Sequence, residues 1–260
     1  KRHRRPSAAS TARILQRLRS ASVGPLVHHH IDVAMRKSKH FYVRKAHRWI
    51  SIFVGVQLLM WTASGLYFSW TDIDEIHGDQ FISPASQTTT LRALMMQGSE
   101  LQVSELAVRF IDDRPYLWVN RSKLIDPESG EVKPGVSRGE AERIARRHIK
   151  DGYEVTGISL LTEVGSHHEY RGRPLPVWAI TFEGPQDLTA YVAERDGSFQ
   201  RVRHRSWRIF DFLWMLHTMD YENRDDFNNS LLRAFSLFAL FVVVSGFTLF
   251  CLSQVRKPRV

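Results

Sequence analysis

Two uncharged apolar runs, one toward each end of the 260 residues, limit this chain more than any other feature. Trp49–Trp70 reads WISIFVGVQLLMWTASGLYFSW, and Ala234–Leu252 reads AFSLFALFVVVSGFTLFCL. As helices rising 1.5 Å per residue they would extend about 33 Å and about 28 Å, close to the roughly 30 Å hydrocarbon core of a bilayer. The expected spans are residues 46–70 and 231–253, so the lipid bilayer is the first expected partner. The core helix of a soluble protein and a cleaved signal peptide fit less well. Both runs are long and flanked by basic residues, and the first starts late and lacks a small-residue cleavage site.

The formal net charge of +9 is unevenly distributed. Residues 1–48 hold 13 Lys and Arg against one acid, Asp32, and the tail after Leu252 holds Arg256, Lys257 and Arg259. Residues 71–230 hold 19 basic and 26 acidic side chains, a net of −7. Basic flanks outside the spans predict two cytoplasmic termini, an extension at 1–45 and a tail at 254–260, with the central part exported. A folded part that is net acidic argues against nucleic acid as a partner. The stretch STARILQRLRSAS reads as a basic amphipathic segment or an unstructured arm, and His28–His30 are a possible metal site or nothing specific. The single cysteine, Cys251, allows no intrachain disulfide and no cysteine-based metal motif.

The central residues read as α+β. Leu101–Ile111 alternates, RPYLWVN is a short strand, and DPESGE is a turn between two extended pieces. Ser137 with Glu140 forms a capping box ahead of GEAERIARRHI, whose Ala141, Ile144, Ala145 and Ile149 share one helical face. YEVTGISLLTEV, LPVWAITFE and LTAYVAER follow as strands, and ERDGSF as a hairpin turn. LIDPESGEV and VAERDGSFQ echo each other, which suggests an α+β unit preceded by a partial copy. Residues 71–204 are expected to form this domain. Residues 205–230 are expected to form an interfacial amphipathic helix, with Trp207, Phe210, Leu213, Trp214 and His217 at helical spacing, followed by a polar turn.

The segments RKAHRWISIFVGVQLLMWTASGLYFSW, WMLHTMDY and LLRAFSLFALFVVVSGFTLF, with the helix-and-strand unit from Val136 to about Arg203, resemble PepSY-domain membrane proteins with PepSY-associated transmembrane helices. The resemblance covers roughly Arg44–Leu252. It implies a bacterial inner-membrane protein with two transmembrane helices flanking a small periplasmic α+β PepSY-like domain. Larger relatives with about four spans resemble ferric-siderophore reductases that hold haem b through membrane histidines, and isolated PepSY units are regarded as peptide-binding or protease-inhibiting modules. His47 and His217 match the family's two motif histidines. They precede different spans, so the topology sets them about 30 Å apart and they cannot share one haem within a protomer.

Candidate ligands are therefore His47, His77 and His217 for a haem b, and His77 and His217 with Asp74 and Asp79 for a transition metal; Asp72 and Asp220 are expected in the same layer. The bland alternatives are an interfacial anchor at His47 and a backbone hydrogen bond at His217. Ser64-Gly65 and Ser245-Gly246 are small pairs suited to close helix contact. Antiparallel spans put these pairs at opposite depths, so each is expected to seat against a partner subunit, a second copy or a flat cofactor. No HExxH, G-x-S-x-G, P-loop or G-x-G-x-x-G motif occurs, so hydrolase and dinucleotide chemistry have no signal. The reading that follows is an accessory or assembly subunit of a membrane complex, redox or metal-handling in kind. A haem b electron-transfer or ferric-siderophore reductase component and a periplasmic peptide-binding regulator are the alternatives.

Overall fold

A computed structural model of the protein describes residues 25–84, 87 and 102–255, without the side chains of 25–41, 43 and 252–255. The segment STARILQRLRSAS, the side chains of His28–His30 and the tail at 256–260 lie outside the described residues. Two long helices stand at the ends, α1 at Pro25–Trp70 and α5 at Ser230–Val255. Within them Arg44–Trp70 and Ser230–Cys251 are long and apolar enough to cross a membrane, and only 11% and 6% of these stretches are buried. Apolar surface exposed on that scale among the described residues is compatible with a surrounding bilayer. The first helix is described from Pro25, so residues 25–45 of the expected extension are helical and run without a break into the first apolar stretch.

The described residues divide into two units, 25–57 with 236–255, and Leu58–Phe235. In the second, α1 ends in a short helix α2 (Ile73–His77), whose N-cap Asp72 accepts from the Asp74 N–H at 2.9 Å. Two antiparallel sheets follow, both in sequential order. The first comprises β1 (Leu106–Ile111), β2 (Arg114–Val119), β3 (Lys123–Ile125) and β4 (Val132–Lys133). The second comprises β5 (Val155–Leu161), β6 (Val177–Phe182), β7 (Thr189–Ala193) and β8 (Phe199–Arg203). In each sheet a glycine-bearing turn joins the third strand to the fourth, Asp126-Pro-Glu-Ser-Gly130 in the first and Asp196-Gly197 in the second, with Gly130 (φ +72°) and Gly197 (φ +69°) left-handed. Glycine takes that conformation without a Cβ penalty.

One core serves both sheets. Ile111, Trp118 and Leu124 from the first meet Ile180, Ala190, Val192 and Val202 from the second around helix α3 (Arg138–His148). The apolar face of α3 contributes Ala141, Ile144 and Ala145. Its start is fixed by the expected capping box. Ser137 Oγ accepts from the Glu140 N–H at 3.4 Å, and the Glu140 carboxylate accepts from the Ser137 N–H at 2.8 Å. Arg146, Arg147 and His148 occupy its last turn, where positive charge is favoured by the helix dipole. Ser137→Ala is expected to destabilise the unit by about 1 kcal/mol in denaturant unfolding. Strand β7 is buried on both faces. Opposite the core, Tyr191 stacks on Tyr170 with centroids 4.6 Å apart. Its hydroxyl donates to Glu169 at 2.6 Å.

Candidate functional site

Helix α4, Arg205–Thr218, places His217 against the last turns of α1. His217 Nδ1 lies 2.8 Å from Ser64 Oγ, and Trp61 Nε1 donates to the His217 carbonyl at 2.8 Å. Phe68 stands edge-on to the imidazole, centroids 5.6 Å apart. Trp61, Ser64 and Phe68 recur at i, i+3 and i+7, one helical face, which is why one side chain can touch all three. Ser64 is 1% exposed, and its hydroxyl donates to the Met60 carbonyl at 2.7 Å. A hydroxyl has one proton. With that proton on the carbonyl, Ser64 accepts and the imidazole donates through Nδ1–H. Nε2 is left with its lone pair and no hydrogen bond among the described residues. Burial pushes the His217 pKa below the ordinary histidine value, so the ring is neutral at pH 7.

The same construction occurs in the other unit. Ser245 Oγ on α5 donates to the Val242 carbonyl at 3.0 Å and lies 2.9 Å from His47 Nδ1 on α1. The serine of each Ser-Gly pair thus bonds a histidine of the other segment, Ser64 to His217 and Ser245 to His47. The expectation that each Ser-Gly pair faces a partner or flat cofactor is corrected for the serines, which have intrachain ligands. Gly65 and Gly246 have open space where a Cβ would stand.

The expected metal set is not assembled. Among the described residues no group of three or more His, Cys, Asp or Glu converges as a metal site. His77 and Asp74 are exposed on α2, and Asp79 begins a 3-10 turn, Asp79–Phe81. Asp220 is 6% exposed and fully engaged. It accepts four backbone N–H bonds at 2.9–3.2 Å, from Glu222, Asn223, Asp225 and Asp226. The loop after α4 is folded around that carboxylate. Burial alone would raise its pKa, but the four amides outweigh it and hold the carboxyl below the usual range. His167 and His168 are also satisfied locally, by the Tyr221 carbonyl at 2.9 Å and the Tyr170 N–H at 3.0 Å.

Helix α4 is also less simply amphipathic than its aromatic spacing suggests. Asp211, 5% exposed, bridges Arg171 at 2.6 Å and Arg224. His77 borders two adjoining cavities of about 370 and 430 Å³, which also share Arg173, Arg201 and Arg203. Arg201 and Arg203 alternate along β8, so both leave the sheet on the face opposite core residue Val202. Two arginines two apart in a strand-forming stretch, FQRVR, are the signal that the sequence carries for this cleft.

Comparison of the chain with protein-family models, curated proteins and solved structures finds no match.

Proposed function

We propose that this chain is a PepSY-like protein of the bacterial inner membrane, with cytoplasmic termini and a periplasmic central domain. In this reading it is an accessory subunit of a redox or metal-handling membrane complex. The observation that carries it is the pair of histidine–serine hydrogen bonds. A metal-binding imidazole characteristically donates its second ring nitrogen to a fixed acceptor, which sets the tautomer and aims the ligating lone pair. His47 and His217 both have such an acceptor. Polar groups retained in apolar spans are costly and tend to serve function. The contacts described for His217 include no second imidazole, so a bis-histidine haem site needs its other ligand from a partner or second copy. A haem b completed in that way would supply one-electron transfer.

The test is purification in mild detergent followed by size analysis, metal analysis and a reduced-minus-oxidised spectrum. The expected result is migration well above the 30.1 kDa of a single chain, with a b-type band or a bound transition metal that is lost in His217→Ala. Ser64→Ala is expected to keep the ligand but shift its midpoint potential, because the second ring nitrogen loses its acceptor. A colourless, metal-free single chain would overturn the proposal. Reporter fusions at Asp151 and Val260 check the topology: an alkaline-phosphatase signal is expected at the first site only.

A further inference from the structure

We propose that the two adjoining cavities beside His77 form a binding site for a phosphate group, borne by a lipid headgroup or by a soluble phosphate compound. The charge arrangement carries the argument. Three acids line the first cavity, and each is already paired: Glu169 with Arg208 at 2.6 Å, Asp225 with Arg171 at 3.2 Å, and Asp211 with Arg171 and Arg224. The second cavity adds one acid, Asp79, which makes no ion pair among the described residues. Arg173, Arg201 and Arg203 line both cavities, and none makes an ion pair among the described residues. Arg201 Nε is buried without a hydrogen-bond partner. Arg203 is 5% exposed, donates only to the carbonyls of Glu169 and Val202, and lies 3.8 Å above the Trp207 ring.

Guanidinium charge left unpaired in a cleft is costly unless an anion answers it. Burial lowers the Arg203 pKa to about 10, which leaves the group protonated at pH 7. Three arginines against the one unpaired acid, Asp79, leave about two net positive charges, enough for the roughly −1.5 to −2 of a phosphate monoester or the single charge of a lipid phosphodiester. Guanidinium forks also suit phosphate oxygens geometrically. The opposite wall is apolar. Phe210 and Trp214 line the first cavity and pack on Phe68, with ring centroids 4.7 and 5.8 Å away. Phe68 is two residues from the end of the first apolar helix. A cationic cleft beside a span end lies at the depth of lipid headgroups.

The full chain in detergent micelles is titrated with inorganic phosphate and followed by tryptophan fluorescence, since Trp207 carries Arg203 on its ring. A saturable change is expected. It should weaken at least tenfold in Arg173→Gln/Arg201→Gln and remain unchanged in the exposed control Arg114→Gln. Neither the Arg173 nor the Arg201 side chain makes a hydrogen bond or ion pair among the described residues, so the double variant should keep the native circular dichroism; the exposed Arg173→Gln alone serves if it does not. Repeating the titration in phosphatidylcholine nanodiscs with and without phosphatidylglycerol separates the sources. Loss of the phosphate response only with phosphatidylglycerol assigns a lipid headgroup, and an equal response in both assigns a soluble phosphate. No saturable response in micelles or phosphatidylcholine, or arginine variants that respond like the wild type, would overturn the site. None of these readouts depends on haem, so failure here is separable from failure of the redox proposal.

Discussion

Asp211→Ala is expected to destabilise the Leu58–Phe235 unit by about 3–5 kcal/mol, the largest single-residue effect foreseen in this chain. The carboxylate is 5% exposed and serves two guanidiniums, Arg171 on the loop after β5 and Arg224 on the loop after α4. Its removal leaves both cations in place and takes away the acid they share. Arg171 keeps the exposed Asp225 and the Asn223 carbonyl, while Arg224 loses its one ion pair among the described residues. Asp225→Asn provides the comparison. That carboxylate is 67% exposed, so its loss should cost less than about 1 kcal/mol. Denaturant unfolding in detergent, monitored by far-ultraviolet circular dichroism, measures both. Equal effects of the two substitutions would show that the buried bridge does not hold α4 to the loop after β5.

Asp220→Ala should produce the second largest loss, roughly 2–4 kcal/mol, because four backbone N–H groups lose their acceptor in one step. The effect should reach beyond the loop. Asn229, nine residues on, donates to the Thr218 carbonyl at 2.9 Å and accepts from the Leu232 N–H at 2.8 Å, so it ties the end of α4 to the start of α5. Loosening the Asp220 loop therefore releases the segment that carries His217. The pH dependence has a definite sign. The folded carboxyl sits below its ordinary pKa, so its stabilisation is complete above the usual carboxylate range and fades as pH falls through the depressed folded value. The melting-temperature difference between wild type and Asp220→Asn should thus be greatest at neutral pH and shrink on acidification. A difference that stays constant down to pH 2 would contradict the assigned role.

Local patterns were readable from the residues where the physics is local. The capping box of Ser137 and Glu140, the apolar face Ala141, Ile144 and Ala145, and the turns at Gly130 and Gly197 all depend on neighbours within a few positions. Strand β8 was missed because FQRVR presents only Phe199 and Val202 as apolar residues. Its partner β7 supplies the apolar surface, and pairing with it is a tertiary fact. The partners of the two Ser-Gly pairs were missed for a different reason. At opposite depths of antiparallel spans the two serines cannot meet each other, which is correct, but the inference ran on to an external partner. The motif histidines were the nearer answer: His217 for Ser64, His47 for Ser245. The arginine cavities were hidden by averaging. A region with a net charge of −7 looks acidic, yet the three acids of the first cavity are already paired with other arginines and only Asp79 in the second is not, among the described residues.

The sequential order of both sheets bears on how such a chain can be assembled. Every strand bonds to its immediate predecessor or successor, and no strand has to be threaded between two others. Contacts that close over short lengths of chain form early and cost little loop entropy. Each four-stranded meander can therefore be completed as soon as its own last strand emerges during synthesis, before the second apolar helix exists. The two histidine seats close over far longer stretches, 153 residues from Ser64 to His217 and 198 from His47 to Ser245, so they follow the meanders, with His47 the last to be seated.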